Sequence, residues 1–145
     1  MVAVINDYEN IDGLLEMFVN LANNASLEIG ITLQVGGVIV SGILISGKKY
    51  FQGLACELRA NASINLAAEA IQNAMNDMST AYVLSDNSEM LEPKFIHLRE
   101  ARILLSSPSN FSSDIRVAYW RGKLDCVEGF VLGELNFNTE EQHSQ

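Results

Sequence analysis

The sequence predicts an α+β domain. It would hold a twisted antiparallel sheet, or a small half-open barrel of the Sm/SH3-like kind, of about five strands. An N-terminal helix would precede the sheet, and a helical insertion would separate strands 2 and 3. Three observations predict this. Residues 27–35, LEIGITLQV, alternate apolar and polar side chains with the period of two that a half-buried strand requires. Gly36-Gly37 follows and supplies two residues free to take positive φ, as a type I′ hairpin turn demands. The periods then run helix, two strands, helices and about three strands, with neither a repeat nor a dividing linker, so 1–145 reads as a single domain.

The elements follow in order. Ile11, Leu14, Leu15, Phe18, Leu21 and Ala22 recur at helical spacing and place an amphipathic helix over 8–23, with Asp7 as its N-cap and Asn23-Asn24 as its end. The β-hairpin spans 27–46. If Val35 pairs with Val38, then Val40 and Leu44 join the apolar face of the first strand. Ile39, Ile43 and Ile45 fall on the opposite face, which therefore needs a cover, either the helix over 48–60 with Tyr50 and Phe51 or a partner surface such as a second copy of the chain. A hairpin of this size is not stable by itself, so later strands and at least one helix must pack on it.

The helical insertion covers 48–81. Tyr50, Phe51, Leu54, Ala55 and Leu58 form one stripe over 48–60, and Asn61-Ala62-Ser63 interrupts it. A second stripe, Leu66, Ala67, Ala70, Ile71, Ala74 and Met78, is rich in small residues that permit close helix approach. Residues 79–93 read as a polar loop ending in Pro93. The remaining strands lie within 94–137. In 94–105, Ile96 and Leu98 share one parity while Ala101, Ile103 and Leu105 share the other, which predicts a bulge near Arg99-Glu100. Ile115, Val117 and Tyr119 alternate in the next strand, a bend falls within 122–129, and 130–137 closes the sheet with Gly133 inside it. The tail, 138–145, is polar and frayed.

Composition narrows the function. The net charge of −9 argues against nucleic acid as the main partner. The charge is segregated. Residues 1–28 hold five acidic and no basic side chains, residues 94–123 hold six basic and two acidic, and residues 124–145 hold five acidic and none basic. No apolar run is long enough to span a bilayer, and the N-terminus lacks the basic start of a signal peptide. Cys56 and Cys126 are seventy positions apart, with no CxxC, and read as reduced, mostly buried thiols of a cytoplasmic protein.

The chemistry-bearing residues assemble no catalytic or metal constellation. His97 is the sole histidine before the tail and sits between Ile96 and Leu98 in a strand, which reads as structural. Neither cysteine has a recognisable nucleophile context. One internal histidine and no paired cysteines leave no metal spacing, and the glycines form no phosphate-binding loop. Asp125 and Glu128 read as solvated loop charges. No enzyme activity and no cofactor are expected.

Two segments, FIHLREARILL (95–105) and YWRGKLDCVEGFVLGEL (119–135), carry a family likeness. Phe95-Ile96-His97-Leu98, Trp120-Arg121-Gly122-Lys123 and Val127-x-Gly129-Phe130-x-Leu132-Gly133 occur in order. Upstream stand Gly37-Val38-x-Val40-Ser41-Gly42, Ile45-Ser46 and Tyr50-Phe51. Over about residues 11–137 the chain resembles the GvpU family of gas vesicle accessory proteins. The resemblance implies a cytoplasmic, non-enzymatic protein that associates with gas vesicles and supports their clustering or assembly.

Bridging vesicles requires at least two binding surfaces per unit, most simply by self-association. The expected partners are further copies of the chain and the gas vesicle shell or other gas vesicle proteins, with no nucleic acid and no lipid membrane. The candidate interaction residues are Ile39, Ile43 and Ile45 on the second hairpin face, Arg99, Arg102, Arg116 and Arg121 in the basic segment, and Trp120. The element order also admits a different reading, an Sm-like oligomeric RNA-binding or protein-interaction module. Arg121-Gly122 faintly resembles an Sm motif, but SGKKYFQ after the second strand lacks the expected Asp and Asn.

Overall fold

The computed structural model describes residues 11–61, 66–80, 93–105 and 113–135 of the chain. Helix α1 (Gly13–Ala25) leads into strands β1 (Ile29–Val35) and β2 (Val38–Ile45). Helices α2 (Gly47–Asn61) and α3 (Leu66–Thr80) follow, and then β3 (Phe95–Leu105), β4 (Ser113–Lys123), a 3-10 turn (Leu124–Cys126) and β5 (Val127–Leu132). The five strands form one antiparallel sheet in the order β4-β3-β2-β1-β5. The α+β class and the placement of the helical insertion agree with the sequence reading. The sheet is not closed into a barrel, since β4 and β5 remain its two edges.

The sheet is nevertheless curled. A flat sheet would set its outer strands about 19 Å apart at the usual strand spacing. The four peptide units from Lys123 to Val127 reach at most about 15 Å. One end of β4 therefore has to swing toward the start of β5, and the 3-10 turn between them tucks Leu124 into the core.

Local chemistry explains each boundary. The carboxylate of Asp12 accepts hydrogen bonds from the backbone N–H groups of Leu14 (2.8 Å) and Leu15 (3.4 Å) and caps α1. The helix therefore starts at Gly13 instead of near Tyr8, and the expected cap Asp7 lies outside the described residues. Ser26, at φ +57°, ends it in the left-handed conformation. The hairpin pairs Val35 with Val38, and Gly36 and Gly37 take φ of +54° and +80°, as the sequence required. Ser46 opens α2, its hydroxyl accepting from the Lys49 N–H at 3.0 Å, and the Asn23 side chain takes the Gly47 N–H at 3.0 Å.

The expected bulge is present. Register shifts by one residue between Ser41 and Ile43 against β3, where Glu100 takes φ +49°. The shift returns Ala101, Ile103 and Leu105 to the face of Ile96 and Leu98. It also carries into β4, where Val117 and Trp120, three apart, both pack against the core cluster. That core lies between α1 and the inner face of the sheet and contains Leu15, Val19, Ile31, Leu33, Leu44 and Leu98.

Ser79 and Thr80 close α3, inside the 48–81 bounds of the helical insertion. Of the apolar stripe of α3, Ala70, Ile71, Ala74 and Met78 are all exposed. Two details differ from the sequence reading. Beta pairing of the last strand stops at Leu132, because Gly133 at φ +107° turns the chain off the sheet edge. Both cysteines are exposed, Cys56 because the buried side of α2 is set by Phe51 and Ala55, and Cys126 because Leu124 takes the inward position of its turn. Residues 81–92 and 138–145, read as loop and frayed tail, lie outside the described residues. Among the described residues, no helix is long and apolar enough to cross a membrane.

Candidate interaction surfaces

The outer face of the sheet, the one that Ile39, Ile43 and Ile45 raised as a question, is covered in two places. The first cover is α2. Strand pairing sets Ile45, His97 and Arg121 side by side across β2, β3 and β4, with Arg99 and Tyr119 one step along. Tyr50 and Phe51 descend on this row from α2. The Tyr50 ring lies 4.6 Å from the His97 ring and 6.1 Å from that of Tyr119, and the Phe51 ring lies 6.0 Å from His97. Gly53 makes the approach possible, since a methyl group there would run into the Tyr119 ring.

This packing fixes the electrostatics. Arg121 Nε–H donates to His97 Nε2 at 3.2 Å, and its guanidinium sits 3.7 Å from the centroid of the Phe95 ring. Burial, aided by the Arg121 charge, lowers the His97 pKa to about 3, so the imidazole is neutral and serves as an acceptor. Burial likewise raises the Tyr50 pKa. Beside this cluster, Glu28 receives Arg99 Nε at 3.1 Å and Lys49 Nζ at 3.3 Å, and the Arg99 hydrogen bond holds its carboxyl below the usual range. The buried neutral imidazole and the rings around it pack α2 onto the outer face of the sheet.

The second cover is the short segment after β5. Having turned at Gly133, the chain crosses back over β1 and β2. Thr32 Oγ1–H donates to the Gly133 carbonyl at 2.8 Å, and the Leu135 N–H donates to Ser41 Oγ at 2.9 Å. Between this strap and β4 lies an open cavity of about 800 Å³, with Glu100, Arg102, Arg116 and Glu134 on its wall. Arg102 and Arg116 face each other across the β3–β4 ladder, a like-charge pair that the neighbouring carboxylates offset. Asp114 reaches Arg116 at 3.5 Å.

Two further surfaces are apolar. On α1 the outward residues Leu14, Met17 and Leu21 are 53%, 45% and 41% exposed. Phe18, between them, meets Phe130 of β5 edge to face at 6.3 Å. Beyond Phe130, Val131 and Leu132 are more than half exposed on the free edge of β5. On the other edge, Ile115 of β4 is 45% exposed.

The candidate residues from the sequence are thus spread over several environments. Ile45 is buried at 2% exposure and lies on no surface of this chain. Ile39 and Ile43 are half-buried, as is Trp120, whose ring folds over Gly122 and packs on the core. Arg99 is engaged with Glu28 and Glu100, Arg102 and Arg116 line the cavity, and Arg121 clamps His97. With Tyr119 beneath α2 and Trp120 on the core, the adjacent aromatics are spent on internal packing and not on a base-stacking platform. The apolar outer side of α1 and the β5 edge were not anticipated. Their signal was present in the doublet Leu14-Leu15 and in Leu21-Ala22, which make the apolar stripe of α1 wider than one face of a sheet can bury.

A family model described as gas vesicle protein GvpU-like matches residues 12–135, the span that holds every element from the Asp12 cap to the end of the strap. No curated protein and no solved structure matches the chain.

Proposed function

We propose that this chain, which belongs to the GvpU-like gas vesicle protein family, is an accessory protein that associates with gas vesicles and draws them together through self-association. The match over residues 12–135 is the observation that carries the reading, because it spans the whole sheet and its helices and not one motif. The surfaces support it. A protein that binds both a vesicle and a further copy of itself has use for exposed apolar side chains on opposite edges of one sheet, here Ile115 on one side and Val131 and Leu132 on the other. Weak contacts repeated along a vesicle surface add up by avidity, so no single contact has to be strong. The protein performs no covalent chemistry in this role and requires no cofactor. Its site is the cytoplasm, at the vesicle surface.

Buoyancy supplies the test. Purified gas vesicles rise in a centrifugal field, and the protein is expected to rise with them and to increase their light scattering as they cluster. Protein that stays in the lower phase at every ratio of protein to vesicle overturns the association. Flotation without a rise in scattering overturns the clustering and leaves the association standing.

A further inference from the structure

We infer that copies of the chain join head to tail, the free β4 edge of one copy seating against the free β5 edge and adjoining α1 face of the next. This rests on the self-association proposed above and assigns the surfaces that carry it. The first argument is the backbone. Among the described residues, β4 and β5 each pair on one side only, so each presents a row of unused N–H and C=O groups. The three-residue turn holds the edges together near Lys123 and Val127 alone. At the remote ends, where that tether no longer acts, stand Ile115 on β4 and Val131 and Leu132 on β5, all exposed.

The second argument is charge. The β4 edge carries Arg116, Arg121 and Lys123, all exposed, against one acid, Asp114. The β5 edge and its flanks carry Asp125, Glu128 and Glu134, exposed, with no base between them. Each edge repels its own kind and attracts the other, which disfavours a symmetric β4–β4 or β5–β5 pair and favours β4 on β5. The third argument is shape. Leu14, Phe18 and Leu21 share one stripe of α1, and Phe18 touches Phe130, so apolar surface continues from the helix to the β5 edge. The half-exposed core-side residues of β4, Ile115, Val117 and Trp120, are the matching apolar row. An interface between two different patches leaves one of each free on the pair, so growth continues to a ring or a chain.

Complementary blocking tests this. The double variant Val131→Lys, Leu132→Lys closes the β5 edge, and Ile115→Lys, Arg116→Glu closes the β4 edge; circular dichroism establishes that each is folded. Sedimentation is expected to show larger assemblies for the unaltered chain and monomers for each variant alone. An equimolar mixture of the two variants is expected to give a dimer, since the β4 edge of one and the β5 edge of the other remain intact. If either double variant unfolds, the single changes Val131→Lys and Arg116→Glu replace it, and each is expected to assemble with a midpoint concentration above that of the unaltered chain. Variants that assemble as the unaltered chain does, or a mixture that stays monomeric, overturn the edge assignment while self-association stands. An unaltered chain that is monomeric at high concentration in low salt overturns both.

Discussion

Arg121 Nε–H donates to His97 Nε2 across adjacent strands at 3.2 Å, so the imidazole that burial keeps neutral serves as the acceptor. The strands pair the two residues directly, and α2 covers His97 with Tyr50 and Phe51. A proton on Nε2 would meet the guanidinium head on, in a site that already penalises charge.

Acid should therefore weaken the fold through His97. Its pKa falls from the ordinary value of 6.5 to about 3 on folding, so between those limits the unfolded chain binds the extra proton. Stability is then complete above the unfolded pKa and declines as pH drops through the window from about 6.5 toward 3. Between pH 7 and pH 5 the expected loss is about 2 kcal/mol. Urea unfolding at the two pH values measures it. His97→Gln, which keeps an acceptor near Arg121 but cannot titrate, should flatten the dependence in that window; an unchanged slope would show that His97 is not its source.

Gly42 lies beneath the bulge of β3. A Cβ at that position would sit 2.9 Å from the Arg99 carbonyl oxygen and 3.1 Å from Ala101 Cα, both backbone atoms that yield only if the strand moves. Gly42→Ala is expected to cost about 1–3 kcal/mol, in spite of the lower chain entropy that alanine brings. Glu100 is the opposite case. It holds φ +49° with an exposed side chain, and its ion pair with Arg99 is a surface one. Glu100→Gly should leave stability unchanged or raise it by up to about 1 kcal/mol. Thermal or chemical unfolding of the two variants reads both signs, and a Gly42→Ala protein as stable as the parent would mean that the bulge is pliable.

The legible parts of the chain were those set by local rules. The Gly36-Gly37 turn, the Val35–Val38 register and the parity break at Arg99-Glu100 follow from backbone conformation and alternation, and the structure has each of them. Coverage was harder to read. Alternation shows that Ile45 leaves the core side of the hairpin and offers the helix with Tyr50 and Phe51 as its cover. The sequence leaves a partner surface as the rival until α2 folds back with Gly53 flat on Tyr119 and buries Ile45. Val117 and Trp120 share a face because a bulge in a neighbouring strand dictates it, and nothing within YWRG says so. The strap was hidden by Gly133, which reads equally as a strand glycine or as the turn that it is. Among the candidate surfaces, the basic residues were visible by composition, whereas the β5 edge could be identified only once the strand order put it at a border.

The two thiols give a chemical check on exposure. Cys56 and Cys126 are both accessible, so native protein should react at both with a small alkylating reagent. The Asp125 carboxylate accepts from Cys126 Sγ at 3.5 Å and pushes the thiol pKa up, which lowers the thiolate fraction at neutral pH. Asp125→Asn should accelerate labelling at Cys126 and leave Cys56 unaffected. Mass spectrometry of a time course distinguishes the sites, and a rate at Cys126 indifferent to residue 125 would remove the carboxylate as the cause.

Ser41 joins the sheet to the strap. Its hydroxyl accepts the Leu135 N–H at 2.9 Å and lies 3.0 Å from Thr32 Oγ1, which in turn donates to the Gly133 carbonyl. Ser41 is itself buried, so no water readily replaces its oxygen. Ser41→Ala removes the acceptor and should cost about 1–3 kcal/mol locally. Because the strap is a short segment at the end of the sheet, the loss is expected to appear as local opening before it appears as global unfolding. Amide exchange at Leu135 should accelerate by one to two orders of magnitude, roughly the factor that such a penalty implies, while exchange at Ile31 and Leu33 in the core stays slow. Thr32→Val should release Gly133 in the same way and keep the Leu135 bond. Equal acceleration at Leu135 and at Leu33 would mean that the strap and the sheet open as one unit, and that Ser41 supports the whole fold and not this crossing alone.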